Sequence, residues 1–319
     1  MEKPYVLGID IGGQTAKCGI VNARGEVLAQ TILVSNKHDD APSFVEALAQ
    51  TLKQLIADAG LEGQVQGIGV GAPNGNYYTG EIKQAPNLSW AHEGNVPFAA
   101  MLSEAMGGMP VALTNDANAA AVGEMTYGAA KGLKNFIMIT LGTGVGSGIV
   151  IDGKVLYGHD GFAGELGHTC AVRGGRRCGC GKLGCLEAYC SAIGVARTAV
   201  EWLDQHPEES SLLRLRENVT SKDVYEAAKA GDKMALDIFE YTGTILGRSF
   251  ADFIAFSSPE AIVLFGGLAR SREFLTEPIL ESMNENVLPL WKDKVKLLYS
   301  SLSESDAAIL GASALAWNL

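Results

Sequence analysis

The chain has 319 residues, enough for two domains of ordinary size, and 47% of them are hydrophobic while 19% are charged. The net charge of −11, with no basic tail, argues against nucleic acid or an anionic membrane as the main partner. No apolar run approaches the length of a membrane span, residues 1–12 lack the pattern of a signal peptide, and clustered cysteines are typical of a reducing compartment, so we expect a cytoplasmic protein.

The first forty residues predict a strand meander around a glycine turn. Residues 5–11 form an apolar run, the sequence Gly12–Thr15 turns, and two further strands are predicted over Lys17–Val21 and Val27–Val34. Bare backbone N–H groups at such a turn bind phosphate oxygens, and Asp10 beside them is suited to hold Mg²⁺ through water. This D-x-G-G pattern is weak evidence alone, because many hairpins carry two glycines.

Helical spacing of apolar residues predicts a helix over Pro42–Ala59, and Val65–Val70 reads as the next strand. Asn87 follows in a loop beside Pro86 and Trp90. An amide with an apolar face nearby is suited to bind a polyhydroxy ligand, whereas the simpler interpretation is an ordinary turn asparagine.

A short strand over Val111–Thr114 is followed by Asn115 and Asp116 and then by an alanine-rich helix over Ala117–Tyr127. Polar residues at the carboxyl end of a strand, just before a helix, commonly bind ligands in α/β sheets. The alternative for Asp116 is a simple helix N-cap.

The meander recurs near the middle of the chain. Phe136–Leu141 is an apolar strand, 142–148 is glycine-rich, Ile149–Ile151 returns, and Lys154–Tyr157 runs on. Two copies of one phosphate-binding unit indicate a duplicated fold with two lobes. The second glycine turn leads into a strand and not a helix, so it is not a dinucleotide fingerprint, and the chain contains no Walker-type motif.

A metal site is predicted between residues 168 and 187. Cys178, Cys180 and Cys185 form a compact C-x-C-x4-C pattern with His168 upstream, and three thiolates with one imidazole suit a structural, tetrahedral zinc ion. An all-thiolate site that uses Cys170 in place of His168 is an alternative, as is a glycine-rich loop with incidental thiols.

The remaining chain alternates helices and strands. A strand at 261–265 ends in Gly266 and Gly267, which we expect to pass close to an adenine or ribose. A last helix, Ser305–Trp317, is expected to pack back on the first lobe. The other predicted elements are helices over Leu186–Leu203, Asp223–Ala230, Lys233–Phe256 and Arg272–Glu285, a strand over Val295–Tyr299 and a loop over 206–218.

Together these motifs resemble the ROK-type sugar kinases, over essentially the whole length. The pieces that carry the resemblance are D-I-G-G-Q-T at 10–15, G-A-P-N at 71–74, P-N-L-S-W at 86–90, N-D at 115–116, L-G-T-G-V-G-S-G at 141–148, G-E-L-G-H at 164–168, C-G-C-G-K-L-G-C-L-E at 178–187 and F-G-G at 265–267. The P-N-L-S-W form is most similar to the bacterial glucokinases of this family. The resemblance implies a duplicated α/β fold of the actin-like/hexokinase (ribonuclease H-like) type, with a small lobe (1–118 and 302–319), a large lobe carrying the zinc loop (119–301) and a cleft between them.

The resemblance also implies a role for each site residue in an ATP-dependent hexose kinase. Asp116 is implied as the catalytic base for the 6-hydroxyl of the sugar. The implied sugar ligands are Asn87, Asn115, Asp116, Glu165, His168 and Glu187. The implied zinc ligands are His168, Cys178, Cys180 and Cys185. The residues implied to contact the nucleotide or its Mg²⁺ are Asp10, Gly12, Gly13, Thr15, Gly142, Thr143, Gly144, Gly266 and Gly267.

Two residues depart from the family pattern. Gln14 stands where threonine is usual, which affects the expected phosphate contact, and Asn74 stands where glycine is commoner, beside the expected sugar site.

Glucose is the expected substrate and a homodimer the expected assembly. Other hexoses or N-acetylhexosamines (N-acetylmannosamine, N-acetylglucosamine, fructose, allose) and a sugar-sensing regulator are the alternatives.

Overall fold

The computed structural model describes residues 4–303 and 306–319, and its chain divides into two compact units. Unit 1 comprises Met1–Leu133, Gly148–Gly164 and Ser301–Leu319, and unit 2 comprises Lys134–Ser147 and Glu165–Ser300. The predicted lobes, 1–118 with 302–319 and 119–301, stay a prediction, since compactness alone does not define lobes that move. None of the helices in the described ranges has the length and apolar character that crossing a membrane requires.

The first sheet contains five strands, which are β1 Tyr5–Ile11, β2 Thr15–Asn22, β3 Val27–Val34, β4 Val65–Gly71 and β7 Val111–Thr114. Their order in the sheet is β3-β2-β1-β4-β7. β1 pairs antiparallel with β2 and parallel with β4, and β4 pairs parallel with β7. The short strands β5 Ile82–Lys83 and β6 Asn95–Val96 form a separate pair.

The helices α1 Ala41–Asp58, α2 Phe98–Ala105, α3 Asp116–Tyr127 and α9 Ala307–Leu315 belong to unit 1. Close approach of α9 to the first sheet depends on two glycines. An added Cβ would lie 2.1 Å from the Ile309 carbonyl oxygen at Gly8 and 1.9 Å from the Ala312 carbonyl oxygen at Gly69. The closing helix therefore packs on the first sheet, as the sequence predicted; Ser305, the predicted first residue of that helix, lies outside the described residues.

The second sheet repeats the strand order of the first, as β10-β9-β8-β11-β12. Its strands are β8 Phe136–Leu141, β9 Val145–Ile151, β10 Lys154–Val155, β11 Ala261–Phe265 and β12 Lys296–Tyr299. In unit 2 the helices are α4 Glu187–Cys190, α5 Ala192–Gln205, α6 Ser221–Lys229, α7 Lys233–Ser257 and α8 Arg272–Asn286. The matching order is what the predicted duplication requires.

Two helical regions differ from the sequence prediction by more than a few residues at their ends. The single helix predicted over Leu186–Leu203 is broken at Ser191, whose side chain accepts a hydrogen bond from the Gly194 N–H and so starts α5 as its N-cap. Helix α2 was not predicted, although Phe98 and Leu102 lie one turn apart on its buried face. The predicted loop at 206–218 contains one 3-10 turn, Leu212–Leu215.

Candidate functional site

The predicted site residues fall into two sets, one in each unit. In unit 1, Asp10 lies near the carboxyl end of β1, and Asn115 and Asp116 follow the carboxyl end of β7, with the parallel strand β4 between them. Asp10 is opposite Gly71, and Gly71 is opposite Thr114, so these three residues form one row across β1, β4 and β7. A Cβ at Gly71 would lie 3.6 Å from the Asp116 Cα and 3.9 Å from Asp10 Oδ1. Gly71 therefore separates the two carboxylate residues, a role that sequence analysis did not assign to it.

Asp116 is the first residue of α3, and Asn115 is its N-cap. The Asn115 side-chain oxygen accepts a hydrogen bond from the Asn118 N–H at 2.7 Å, and Asp116 Oδ1 accepts one from the Ala117 N–H at 2.8 Å. The N-cap alternative for Asp116 is therefore wrong, because Asn115 fills that position. Asp116 is solvent-exposed as a residue, yet the surrounding protein takes its carboxylate partly out of water and raises its pKa, against the lowering effect of the Ala117 N–H.

Asp10 is partly buried and has an unusual acidity. Its removal from water, followed by the negative charge of Asp116, raises its pKa from 3.8 to about 6, while Lys17 opposes this shift. A carboxylate whose pKa is raised in the folded protein destabilises the fold when it ionises. The stability that Asp10 contributes to the fold is therefore fully present below its unfolded pKa, where the group is neutral. This stability is lost as the pH rises from about 4 to about 6 and the group ionises.

We therefore expect Asp10→Asn to unfold less readily than the unaltered protein at pH 7. Asparagine stays neutral, so the variant avoids an ionisation cost of up to about 3 kcal/mol, and this gain should shrink to about half at pH 5. Urea unfolding at both pH values measures the difference. Asp39→Asn, on an exposed carboxylate of the same unit, is the matched control and should change neither value. An equal gain at both pH values would contradict the electrostatic explanation.

Hydrogen bonds within the first glycine turn and from Ser35 hold this turn in place. The Gly12 N–H donates to the Thr15 carbonyl at 2.8 Å, and the fully buried Ser35 donates its hydroxyl to the Gly12 carbonyl at 2.7 Å. A Cβ at Gly13 would lie 2.7 Å from the Asn87 carbonyl oxygen, so the turn packs directly on the predicted sugar loop. Sequence analysis missed Ser35, because nothing in the sequence around this residue indicates that it contacts the glycine turn.

The ring of Trp90 is buried in the core and is therefore not accessible to a ligand. Only 6% of the residue is exposed, and its indole stacks on Phe44 at 4.4 Å between centroids, with Phe98 beside it. The expected apolar face next to Asn87 is therefore part of the unit 1 core. Asn87 itself is exposed.

The departure at Asn74 has a conformational explanation. Its φ is +53°, in the left-handed region that glycine adopts with the least strain and that asparagine tolerates better than most residues. Its amide donates to the carbonyls of Lys83 and Gln84 at 3.0 and 3.2 Å. The asparagine thus keeps the turn that glycine would allow and ties it to β5.

In unit 2, the second glycine turn joins β8 to β9. The Gly142 N–H donates to the Gly144 carbonyl at 3.0 Å, and Thr143 is exposed at the tip. The Ala192 N–H, at the start of α5, donates to the Gly142 carbonyl at 2.8 Å. The break at Ser191 therefore brings a helix N-terminus against this turn, an arrangement that favours anionic ligands.

The four predicted zinc ligands converge within unit 2. One donor atom from each of His168, Cys178, Cys180 and Cys185 lies within 4.8 Å of all the others. The sulfurs of Cys180 and Cys185 are 3.7 Å apart, and Cys178 Sγ is 3.8 Å from His168 Nδ1. Zn–S bonds of about 2.3 Å in a tetrahedron place sulfurs about 3.8 Å apart, so the donor set fits zinc. Cys170 is exposed and is not among these four donors, which favours the set that contains His168.

Arg176 joins this loop to helix α5. Its guanidinium is 8% exposed, binds Glu201 through Nε and Nη2 at 3.0 and 2.6 Å, and lies 4.5 Å from the centre of the Tyr189 ring. Its Nη1 also donates to the Ala188 and Gly194 carbonyls. Burial raises the pKa of Glu201, but hydrogen bonds from Arg176 and Arg197 outweigh it and leave the pKa lowered.

We expect Arg176→Met to lower the free energy of unfolding by about 3 kcal/mol, because two buried carbonyls lose their partner along with the carboxylate. Arg197→Met is the matched control, since Arg197 binds the same Glu201 but is 44% exposed, and it should cost less than about 1 kcal/mol. Denaturant unfolding of both variants measures the costs. Equal costs would show that Arg176 contributes no more than a surface pair.

Gly266 ends β11 with a φ of +103°, and a Cβ there would lie 2.6 Å from the Leu141 carbonyl oxygen. It is therefore directly next to the second glycine turn. Gly267 lines a cavity of about 370 Å³, whose other polar lining residues are Ser221, Lys222, Tyr225, Glu226, Arg270 and Ser271. The contribution of α6 residues to this cavity was not predicted from the sequence.

Comparison with known proteins supplies a family. The family model described as the ROK family matches residues 6–318. A protein named glucokinase from Halalkalibacterium halodurans is 37% identical over 98% of this chain and 94% of its own length, and a glucokinase from Thermotoga maritima is 34% identical over 99% and 98%. The structure of a ROK family glucokinase from Streptomyces griseus in complex with glucose and AMPPNP superposes with a TM-score of 0.79, at 32% identity over 99% of this chain and 100% of that one.

Proposed function

The chain belongs to the ROK family, and we propose that it transfers the γ-phosphoryl group of ATP to the 6-hydroxyl of glucose, with Asp116 as the general base. The observation that carries the proposal is the placement of Asp116. Asp116 follows the carboxyl end of the parallel strand β7, is solvent-exposed, and has one carboxylate oxygen oriented by the Ala117 N–H.

Phosphoryl transfer depends mainly on positioning and charge neutralisation, so the base has a limited task. Asp116 orients the 6-hydroxyl towards the γ-phosphorus and accepts its proton as the new P–O bond forms and the bond to the β-phosphate breaks. Because its pKa is raised, the carboxylate is a stronger base than an ordinary aspartate. The proton-accepting form is lost as the pH falls, so the rate should fall on the acid side.

The glycine turns supply the phosphate contacts in this proposal. These contacts would come from Gly12, Gly13 and Thr15 of the first turn and from Gly142, Thr143 and Gly144 of the second. Mg²⁺ bound with the nucleotide neutralises phosphate charge, and Asp10 would hold it through water. Gly266 and Gly267 would lie beside the adenosine. On the sugar side, Asn87, Asn115, Glu165, His168 and Glu187 would bind the hydroxyls.

We also infer that His168, Cys178, Cys180 and Cys185 hold a structural zinc ion. His168 directs Nδ1 towards the sulfur of Cys178, which leaves Nε2 for a sugar hydroxyl. The metal would keep the imidazole in one orientation before the sugar arrives, and preorganised ligands lose less entropy on binding.

A homodimer, implied by the family resemblance, and a cytoplasmic location, expected from the clustered cysteines, stay predictions. Gel filtration with light scattering measures the assembly directly. A mass of about twice 33.6 kDa is expected.

A coupled assay of ADP release tests the proposed function. We expect glucose to give the highest kcat/KM in a panel that includes mannose, fructose, allose, N-acetylglucosamine and N-acetylmannosamine. A tenfold preference for any other sugar would identify a different kinase on the same fold. If the folded protein releases no ADP with any sugar in the panel, the kinase proposal is rejected.

A further inference from the structure

Val145, the first residue of β9, is contacted on both sides by residues that lie within two positions of the proposed metal ligands. Its N–H donates to Glu187 Oε2 at 3.0 Å. On the other side, Gly167, the neighbour of His168, packs so closely that a Cβ there would lie 2.0 Å from the Val145 carbonyl oxygen. The peptide that follows the second glycine turn is thus held by both ends of the cysteine–histidine loop.

Glu187 connects the two regions through its two oxygens. While Oε2 binds the Val145 N–H, Oε1 lies 3.5 Å from Cys178 Sγ. Glu187 also begins α4, two residues after the buried ligand Cys185, so metal binding would fix the backbone that directs its carboxylate. The Leu186 N–H donates to the Thr169 carbonyl at 3.0 Å, which ties the start of α4 to the residue after His168.

The glycine turn makes room for this carboxylate. A Cβ at Gly144 would lie 2.4 Å from Glu187 Oε2. The φ of Gly144 is outside the left-handed region, so the absence of a side chain is required by the nearby carboxylate and not by the backbone. The residue that the family resemblance assigns to the sugar is thus in contact with the turn assigned to the nucleotide.

We propose that Glu187 is a positioning residue for the nucleotide: it transmits the order of the metal site to the Gly142–Val145 turn, so that bound zinc sets nucleotide affinity as well as sugar affinity. This inference rests on the proposed function and adds a second role for a residue assigned there to sugar binding. Glu187 fixes the orientation of the turn amides without itself contacting phosphate.

The test measures the dissociation constant of Mg²⁺–AMPPNP in the absence of sugar. We expect Glu187→Ala to weaken binding about tenfold, because a hydrogen bond from a backbone N–H to a carboxylate is lost. Glu187→Gln is the matched control, since its side-chain oxygen still accepts from Val145, and it should stay within about threefold of the unaltered protein. Removing the metal should weaken binding in the unaltered protein and have little further effect in Glu187→Ala, as two changes on one pathway are not additive.

Hydrogen exchange of peptides covering residues 141–150 gives a second readout that needs no nucleotide. Faster exchange at Val145 in Glu187→Ala and in metal-free protein, but not in Glu187→Gln, supports the positioning role even if the protein proves not to be a glucose kinase. Unchanged exchange and unchanged AMPPNP affinity in Glu187→Ala, with only the KM for glucose raised, would overturn the inference and leave the proposed function intact.

Discussion

Asp116→Asn is expected to lower kcat by a factor of about 10² to 10⁴, the usual contribution of a general base. Asparagine keeps the shape of the side chain and the oxygen that accepts from Ala117, but it cannot take the proton of the 6-hydroxyl. Substrate binding uses hydrogen bonds that an amide largely reproduces, so the affinity for glucose should stay close to that of the unaltered protein.

Steady-state kinetics and the quenching of tryptophan fluorescence by glucose measure the two quantities separately. Asp39→Asn, on an exposed aspartate of unit 1, is the control and should keep full turnover. A variant at Asp116 with normal kcat would show that another group, or no group, accepts the proton. A large loss of glucose affinity with unchanged kcat would assign Asp116 to binding alone.

Removal of the zinc ion proposed at the cysteine–histidine cluster is expected to lower the melting temperature by about 10 °C and to raise the KM for glucose about tenfold. Cys178 and Cys185 are buried, and burial raises the pKa of the Cys185 thiol to about 12, so deprotonating Cys185 without a cation nearby is unfavourable. Without metal the loop loses the bonds that orient His168 and Glu187.

Chelation followed by a check of metal content, thermal unfolding and glucose kinetics tests this expectation, and restored zinc should reverse both effects. Cys185→Ser and Cys170→Ser are a matched pair, because the former removes a ligand and the latter an exposed thiol outside the four donors. Loss of metal in Cys170→Ser, or unchanged kinetics in verified metal-free protein, would contradict the assigned ligand set or its link to the sugar.

The sequence predicted best the elements whose limits are encoded locally. Strands β8 Phe136–Leu141 and β11 Ala261–Phe265 have the predicted bounds, because each is an apolar run that ends at glycine. The break between α4 and α5 was not predictable in the same way. The apolar spacing continues through Ser191, and the interruption is stabilised by the tertiary bond from Ala192 to Gly142, fifty residues away in the chain.

In the candidate site, too, features encoded by local sequence could be predicted, whereas features that depend on tertiary contacts could not. Convergence of three cysteines and a histidine follows from their chemistry and short spacing, which is why the cluster could be predicted. The packing of Trp90 could not, because whether an indole faces a ligand or the core depends on Phe44. The support that Ser35 gives to the first turn likewise depends on a tertiary contact that a local motif does not contain.

The most direct test of the central claim is an experimental structure with glucose and a non-hydrolysable ATP analogue, in which the distance from the Asp116 carboxylate to the 6-hydroxyl oxygen is measured. We predict a hydrogen-bond distance of about 2.6–3.2 Å. A glucose molecule whose 6-hydroxyl contacts a different carboxylate, with Asp116 out of reach, would contradict the assignment of the base.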